Sequence, residues 1–291
     1  MYVFILNPVA GRGRSVKIYE EVKNIFDNSN VSYCVWNTTY PGEATILAKK
    51  AIDNGYKNII SVGGDGTLLE VVTGLVGSDC NLGIIPAGTG NDFIRSIGIG
   101  ADHVVAAKTI LSGNTSKVDI GSTLNSDYFV NVAGAGFDTE VIKYTEKFKS
   151  HLKGQAAYVF GVLSALLRYR NKLMRITIDE EVFEGKFFLI AVANGTTYGG
   201  GMKVAPKATP FDGYFDITLF KSISNIKVPF LLPFFIKGRH DKIKQISNIR
   251  CKKITIESLA DNTPINMDGE IIGNSPMSFT IIDNALNVFV P

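Results

Sequence analysis

The hydrophobic pattern of the first hundred residues alternates between short continuous apolar runs and apolar positions at helical spacing. Residues 58–62 form a run typical of a buried strand, and a helical pattern follows at Leu68, Leu69, Val71, Val72, Leu75 and Val76. Similar runs occupy residues 2–6 and 81–85, and a glycine-rich loop follows each of them. These three units predict an open, mostly parallel α/β domain that continues to about residue 120.

The pattern changes after residue 120, where segments of β type become frequent. One amphipathic helix is predicted over residues 155–169. Strands are predicted, with turn residues between them, at residues 128–133, 175–179, 185–193, 214–220, 253–257 and 278–282. Because such a run of strands is typical of an antiparallel β sandwich, we expect a second domain of that class.

The loops that follow the early strands carry the most chemical information. Residues 63–67 read Gly-Gly-Asp-Gly-Thr, and residues 86–92 read Pro-Ala-Gly-Thr-Gly-Asn-Asp. Glycines at a strand-to-helix turn let backbone N–H groups approach a phosphate, and a helix N-terminus favours negative charge. Since Asp65 would repel a bare phosphate, we expect a divalent cation between them. The loops therefore predict a site for a nucleoside triphosphate.

Two familiar phosphate-binding motifs do not fit these loops. The chain has no Gly-x-Gly-x-x-Gly in the required place and no Gly-Lys-Ser/Thr. A tight turn without a ligand would explain one glycine-rich loop. Three such loops, each after a predicted strand, favour a binding site over three unrelated turns.

Composition limits the partners of the protein. A chain of 291 residues is long enough for two domains, and its net charge of +3 gives no general attraction to nucleic acid. The charge is nevertheless uneven, because residues 221–253 contain nine basic residues and one acidic residue. The longest apolar run, residues 228–236, contains Pro229 and Pro233 and is too short to span a bilayer.

Cysteine usage and the N-terminal pattern bear on the compartment. Cys34, Cys80 and Cys251 lack metal-ligand spacing, and so few cysteines suit a reducing cytoplasm. The N-terminus leads directly into a predicted core strand, so we expect no cleavable signal peptide.

The two glycine-rich motifs resemble a known family. Residues 63–67 followed by residues 86–92 are similar to the catalytic signature of diacylglycerol kinases and their bacterial lipid-kinase relatives, which include sphingosine and ceramide kinases. Further matches, at residues 7–13, 117–121, 131–137, 205–214 and 267–270, extend the resemblance over essentially the whole chain. NAD kinases and, loosely, phosphofructokinases share the first motif. The second motif and the Asp-Gly-Glu at residues 268–270 distinguish the lipid kinases.

The resemblance implies a fold and an activity. The expected fold is an α/β N-terminal domain of NAD-kinase/phosphofructokinase type over residues 1–122, followed by an all-β sandwich over residues 123–285. The last strand, about residues 286–291, returns to the first domain. The implied activity is ATP- and Mg²⁺-dependent phosphorylation of the hydroxyl of diacylglycerol or a related lipid, which would serve phospholipid biosynthesis by giving phosphatidic acid or its analogue.

Two carboxylates are the expected catalytic residues. The family carries its general base at the Glu of the Asp-Gly-Glu, here Glu270, and a carboxylate can accept the proton of an attacking lipid hydroxyl. Without the resemblance, Glu270 is equally well explained as the first exposed residue of a strand after an Asp-Gly turn. Asp65 is expected to hold magnesium together with the triphosphate.

The remaining nucleotide contacts are implied by matched motif positions. They are Asn7, Pro8, Gly11, Arg12, Thr38, Gly63, Gly64, Asp65, Gly66, Thr67, Glu70, Gly88, Thr89, Asn91 and Arg95. Arg12 and Arg95 could neutralise charge on the transferred phosphoryl group, whereas we expect Arg14 to be solvated. The contacting threonine is either Thr38 or its neighbour at position 39. Asp92 and Asp119 could belong to an acidic cluster or serve the structure alone.

A second metal site is implied by the resemblance at Thr209, Asp212 and Tyr214. Phe211 precedes Asp212, so the loop supplies few carboxylates to a cation that wants six or more oxygen ligands. A plain Asp-Gly turn therefore remains an equal alternative.

The basic and apolar segment at residues 230–240 has two interpretations. It could be an ordinary helix packed on the sandwich, or an interfacial element that contacts anionic lipid. We favour the second, so the expected partners are a lipid substrate and an anionic membrane surface, with no nucleic acid. A homodimer is compatible with the sequence. The expected location is the cytoplasm, with peripheral association at the inner face of the membrane.

Two alternative functions stay open. A soluble-substrate kinase of NAD-kinase type would explain residues 63–67 but neither residues 86–92 nor the basic apolar segment. A non-catalytic regulator that binds lipid or nucleotide on the same scaffold is disfavoured because Asp65 and Glu270 are both present.

Overall fold

The computed structural model describes residues 1–149, 155–260 and 262–291 of the chain. Strands and helices alternate in the N-terminal part: β1 (Tyr2–Leu6), α1 (Arg14–Asp27), β2 (Tyr33–Asn37), α2 (Glu43–Asp53), β3 (Asn58–Gly63), α3 (Asp65–Leu75), β4 (Asn81–Pro86), α4 (Asp92–Ser96), α5 (His103–Ser112) and β5 (Thr115–Thr123). Strands dominate the remainder: β6 (Tyr128–Phe129), β7 (Val132–Gly136), α6 (Phe137–Lys149), α7 (Gln155–Arg168), β8 (Lys172–Ile178), β9 (Glu181–Ala193), β10 (Phe215–Lys221), α8 (Val228–Ile236), β11 (Ile246–Cys251), β12 (Lys253–Ser258), β13 (Pro264–Met267), β14 (Glu270–Asn274) and β15 (Met277–Phe289).

The first compact unit contains Met1–Ile120, Thr209–Gly213 and Ile282–Pro291. Its strands follow the order β2-β1-β3-β4 and are all parallel. The end of β15 lies beside β4, also in parallel, with Asn287 opposite Asn81. The strands at the centre are buried, which explains why they read as continuous apolar runs rather than as alternating patterns.

The second compact unit contains Gly121–Ala208 and Tyr214–Ile281. Its strands are antiparallel, in the order β14-β13-β7-β9-β8-β12 with the start of β15 beside β12. β10 pairs with β9 and with β11. Phe129 stacks on Phe215 and meets the edge of Phe279 in a buried core between these strands.

These two units confirm the predicted fold class, a mostly parallel α/β part followed by an antiparallel β sandwich. The helix predicted over residues 155–169 is α7. The helix α6 was not predicted, although its apolar residues at positions 137, 141, 144 and 148 recur at helical spacing. No helix among the described residues is both long enough and apolar enough to cross a membrane.

Candidate active site

The glycine-rich loops of the first unit converge because β1, β3 and β4 are parallel neighbours, so their carboxyl ends share one edge of the sheet. The Asn7 side chain donates a hydrogen bond to the Thr67 hydroxyl at 2.9 Å. The backbone N–H of Ala87 donates to Gly63 O at 2.7 Å. The structure thus brings together the predicted residues of all three loops.

Close packing between the loops explains several of the glycines. A Cβ atom at Gly11, where φ is +57°, would lie 2.2 Å from Ala87 O, and one at Gly88 would lie 2.4 Å from Gly64 Cα. Because real Cβ atoms do not approach backbone atoms so closely, only glycine fits at these positions. The glycines, expected from the sequence only to let a phosphate approach, also allow the loops to touch each other.

Asp65 links the second loop to the third. It is the first residue of α3, and its carboxylate accepts hydrogen bonds from Asn91 N at 2.8 Å and Asp92 N at 2.9 Å. Burial raises the pKa of Asp65, and the nearby charge of Asp92 raises it further. A Cβ at Gly90 would lie 2.6 Å from Asp65 Oδ2 and 3.3 Å from Asp92 Oδ2, so both carboxylates flank that glycine. The edge of the sheet therefore holds two adjacent acidic groups.

The third loop is closed by Asn91. Its backbone is left-handed, with φ at +50°, and its side-chain oxygen accepts from Gly88 N at 3.0 Å while its amide donates to Gly88 O at 3.0 Å. Arg14, which we expected to be solvated, is exposed and also donates to Gly88 O at 2.6 Å. It reaches the third loop because it begins α1, directly after the first loop.

Three further candidates have contacts that bear on their roles. Glu70 accepts from Gly42 N at 2.9 Å and Ala44 N at 3.1 Å, so it binds the N-terminus of α2. The Thr39 hydroxyl donates to Glu43 at 2.8 Å, whereas Thr38 is buried next to the end of β1. Thr38 is thus the threonine whose hydroxyl is not engaged by Glu43.

The two arginines expected to contact the nucleotide are exposed. Arg12 has a positive φ of +63° in the first loop, and Arg95 lies in the last turn of α4. Neither position decides whether the guanidinium contacts a phosphate, so both residues stay predictions.

The segment that carries Thr209 and Asp212 is held by Asp119. Asp119 is buried, and its backbone N–H donates to Pro210 O at 2.8 Å. Its carboxylate accepts from Gly213 N and Asn284 N, both at 2.7 Å. Asp119 therefore has a structural role in the first unit.

No group of three or more His, Cys, Asp or Glu residues that could hold a metal ion occurs in the described ranges. Asp212 is exposed on its loop. Tyr214 belongs to the second unit, where the cationic groups of Arg250 and Lys252 lie over its ring at 4.7 and 5.1 Å. The predicted second metal site at Thr209, Asp212 and Tyr214 stays a prediction.

Glu270 lies at the tip of a hairpin in the second unit. Met267 at the end of β13 pairs with Glu270 at the start of β14, and the turn between them consists of Asp268 and Gly269, both with positive φ. Glu270 is exposed. The Glu270 carboxylate is therefore open to solvent, and its role as general base stays a prediction.

Sequence reasoning missed a buried carboxyl beside this hairpin. Asp138, in the first turn of α6, accepts from Thr139 N at 2.9 Å and from the Asn266 side chain. Burial raises the pKa of Asp138 to about 7. The only sequence signal is that Asp138 directly follows the matched motif at residues 131–137.

A parallel α/β unit with three converging glycine loops, followed by an antiparallel sandwich, is the arrangement expected of a phosphotransferase. Residues 1–123 match the family profile described as "Diacylglycerol kinase catalytic domain", and residues 131–290 match "YegS C-terminal NAD kinase beta sandwich-like domain". The chain belongs to the diacylglycerol kinase family. It is therefore a lipid kinase that acts on a hydroxyl group.

Individual relatives align with this chain over nearly their whole lengths. A diacylglycerol kinase from Staphylococcus carnosus is 31% identical over 289 residues, which cover 99% of this chain and 94% of the relative. One from Bacillus subtilis is 31% identical over 290 residues, with 99% and 95% covered. A solved structure from Bacillus anthracis str. Sterne superposes with a TM-score of 0.82 at 25% identity, covering 100% of this chain and 96% of the other.

Proposed function

We propose that the protein transfers the γ-phosphoryl group of ATP to the hydroxyl of diacylglycerol and produces phosphatidic acid. The observation that carries the proposal is the edge of the first unit, where three glycine loops meet and Asp65 and Asp92 flank Gly90. The relatives named diacylglycerol kinase support the acceptor. The transfer needs little covalent chemistry from the protein, so positioning and charge stabilisation are its main contributions.

The donor set fits a magnesium ion bound together with ATP. Mg²⁺ is usually held by one or two carboxylates, substrate phosphates and water rather than by an all-protein cage. Asp65 and Asp92 supply two adjacent carboxylates. The pKa of Asp65 is raised by burial and then by the negative charge of Asp92, and a bound cation would compensate both. When bound, the ion would neutralise charge that develops on the transferred phosphoryl group. Backbone N–H groups of the glycine loops would orient the phosphates.

Glu270 is the proposed general base. Its exposed carboxylate would accept the proton of the acceptor hydroxyl as that oxygen attacks phosphorus.

The lipid substrate must reach Glu270 from a membrane, and α8 offers a surface that could contact that membrane. Phe230, Phe234 and Ile236 of α8 are 74%, 47% and 53% exposed, and the basic residues Lys237 and Arg239 follow at once. We propose that α8 touches the surface of an anionic membrane.

A panel of acceptors with γ-labelled ATP tests the function. Diacylglycerol, monoacylglycerol, ceramide and sphingosine would be presented in mixed micelles, and NAD in solution would test the soluble-substrate alternative. We expect label in phosphatidic acid, with Mg²⁺ required. Label in NADP and in none of the lipids would overturn the proposal, and preferential labelling of ceramide or sphingosine would correct the acceptor.

A further inference from the structure

We propose that Asp268 is a positioning residue that holds the hairpin carrying Glu270 in its working geometry. The inference rests on the proposed function, in which Glu270 is the general base. It assigns a specific task to the carboxylate of Asp268, which as a turn residue would otherwise need only a backbone conformation.

The Asp268 carboxylate is held by three successive backbone N–H groups. Its Oδ2 accepts from Val130 at 2.8 Å, and its Oδ1 accepts from Asn131 and from Val132, both at 3.0 Å. The backbone N–H of Asp268 returns a bond to Val132 O at 2.9 Å. Hydrogen bonds to an ionised acceptor are stronger than neutral ones, so the turn is fixed to the start of β7.

Turn chemistry alone does not call for an aspartate at this position. The two-residue turn has φ at +46° for Asp268 and +89° for Gly269, a conformation that asparagine followed by glycine adopts at least as well. An asparagine offers one acceptor oxygen, and its amide would face one of the three donors with a donor. The negatively charged side chain is therefore explained by the three N–H groups and not by the turn.

The hydrogen bonds from the backbone N–H groups of residues 130–132 to the Asp268 carboxylate are called the Asp268 clamp below. Glu270 depends on this clamp for its orientation. The Glu270 side chain is exposed and makes no hydrogen bond or ion pair with the described residues of its own unit. Its position must then come from the backbone, and the Asp268 clamp lies two residues before it. A second attachment is supplied by the Asn266 side chain, which donates to Gly134 O at 3.2 Å and to Asp138.

The chain contains a matched control at another hairpin of the same unit. Asp179 lies in the two-residue turn between β8 and β9, with φ at +48°. Its carboxylate accepts from Lys252 N at 3.1 Å and Lys253 N at 3.0 Å, and its own N–H donates to Lys253 O at 2.9 Å. Asp179 makes a smaller version of the Asp268 arrangement, with two donors on one oxygen rather than three donors on two oxygens, in a turn that carries no proposed site residue.

The test compares Asp268→Asn with Asp179→Asn, alone and in the Glu270→Gln background, in the full-length chain. Because a small misplacement of a catalytic group can cost about 10²-fold, we expect Asp268→Asn to lower kcat by roughly that factor while the KM for ATP stays within about twofold. Asp179→Asn should keep the wild-type kcat. In the Glu270→Gln background, Asp268→Asn should cost less than about twofold more, because residues that act as a unit are not additive.

The outcomes separate this inference from the function on which it rests. A wild-type chain without lipid kinase activity would remove both. An active wild type would remove only the inference if Asp268→Asn kept full kcat, or if it lost as much in the Glu270→Gln background as alone. Should Asp268→Asn fail to fold, Asp268→Gly keeps a turn with positive φ while deleting the clamp. Full kcat in that variant would equally overturn the inference.

Discussion

At the scale of single residues, Asp65 combines an observed structural contact with a proposed chemical role. Its two carboxylate oxygens accept hydrogen bonds from the backbone N–H groups of Asn91 and Asp92, so Asp65 fixes the third loop. It also lies beside the carboxylate of Asp92. Motif spacing could indicate that Asp65 matters, since it stands among glycines at a helix start. The sequence could not show that Asp65 binds the next loop, because that contact joins residues far apart in the chain.

The substitution Asp65→Asn tests this combination. An amide has one acceptor oxygen for two N–H donors and no charge for a cation, so we expect kcat to fall by about 10²-fold or more. Asp102→Asn is the control, since the Asp102 carboxylate also accepts two backbone N–H groups, from Val104 and Val105, at the start of α5. Kinetics with Mg²⁺-ATP and thermal melting would be measured for both. Near-normal turnover in Asp65→Asn would contradict the proposed site.

Asp138 gives a pH dependence of stability with a definite sign. Burial raises its pKa from 3.8 to about 7, so between these values the folded state binds more protons than the unfolded state. The free energy of unfolding must then fall as pH rises through this window, by roughly 1.4 kcal/mol for each unit of pKa shift. We expect denaturant titrations from pH 4 to 8 to show this decline, and Asp138→Asn to flatten it. An equal slope in both proteins would show that Asp138 does not titrate in the window.

At the scale of elements, the glycine loops and α8 show what a sequence pattern can and cannot predict. The continuous apolar runs predicted β1, β3 and β4 because buried parallel strands lack polar alternation. The apolar sequence of α8 has no clear polar face, so only the structure shows which residues are exposed, among them Phe230 at 74%. Phe235 of α8 stacks on Phe220 in the core, so the helix is anchored on one side while other large apolar side chains are exposed. This exposure is the feature that favours an interfacial role.

Charge reversal at the end of α8 tests that role. Changing Lys237, Arg239 and Lys242 to Glu should weaken binding to vesicles containing anionic lipid, since each basic residue near such a surface contributes roughly 1 kcal/mol. The weakening should shrink at high salt. A control with the same change in net charge reverses Lys17, Lys49 and Lys108, which are exposed on the first unit. Equal vesicle sedimentation by both triple variants would contradict a membrane contact at α8 and indicate that this helix only packs on the protein.

At the scale of the whole molecule, the fold class was predictable because local periodicity differs between the two parts of the chain. The family followed from two motifs whose spacing is specific. The clamp on Asp268 was not predictable, because it joins residues 130–132 to position 268. The same holds for the burial of Asp138 against Asn266. Such contacts arise from strand order, which the hydrophobic pattern does not encode.

The claim that Glu270 is the general base of a lipid kinase is tested most directly by comparing the wild type with Glu270→Gln. The measurement is the transfer of label from γ-labelled ATP to diacylglycerol in anionic mixed micelles. Glutamine keeps the size of the side chain but cannot accept the proton, and general-base catalysis typically contributes about 10²–10⁴-fold. We expect kcat to fall by that factor while the KM for ATP hardly changes, since in the proposed function the glycine loops and not Glu270 bind the nucleotide. A Glu270→Gln enzyme with full kcat and weakened ATP binding would contradict the account.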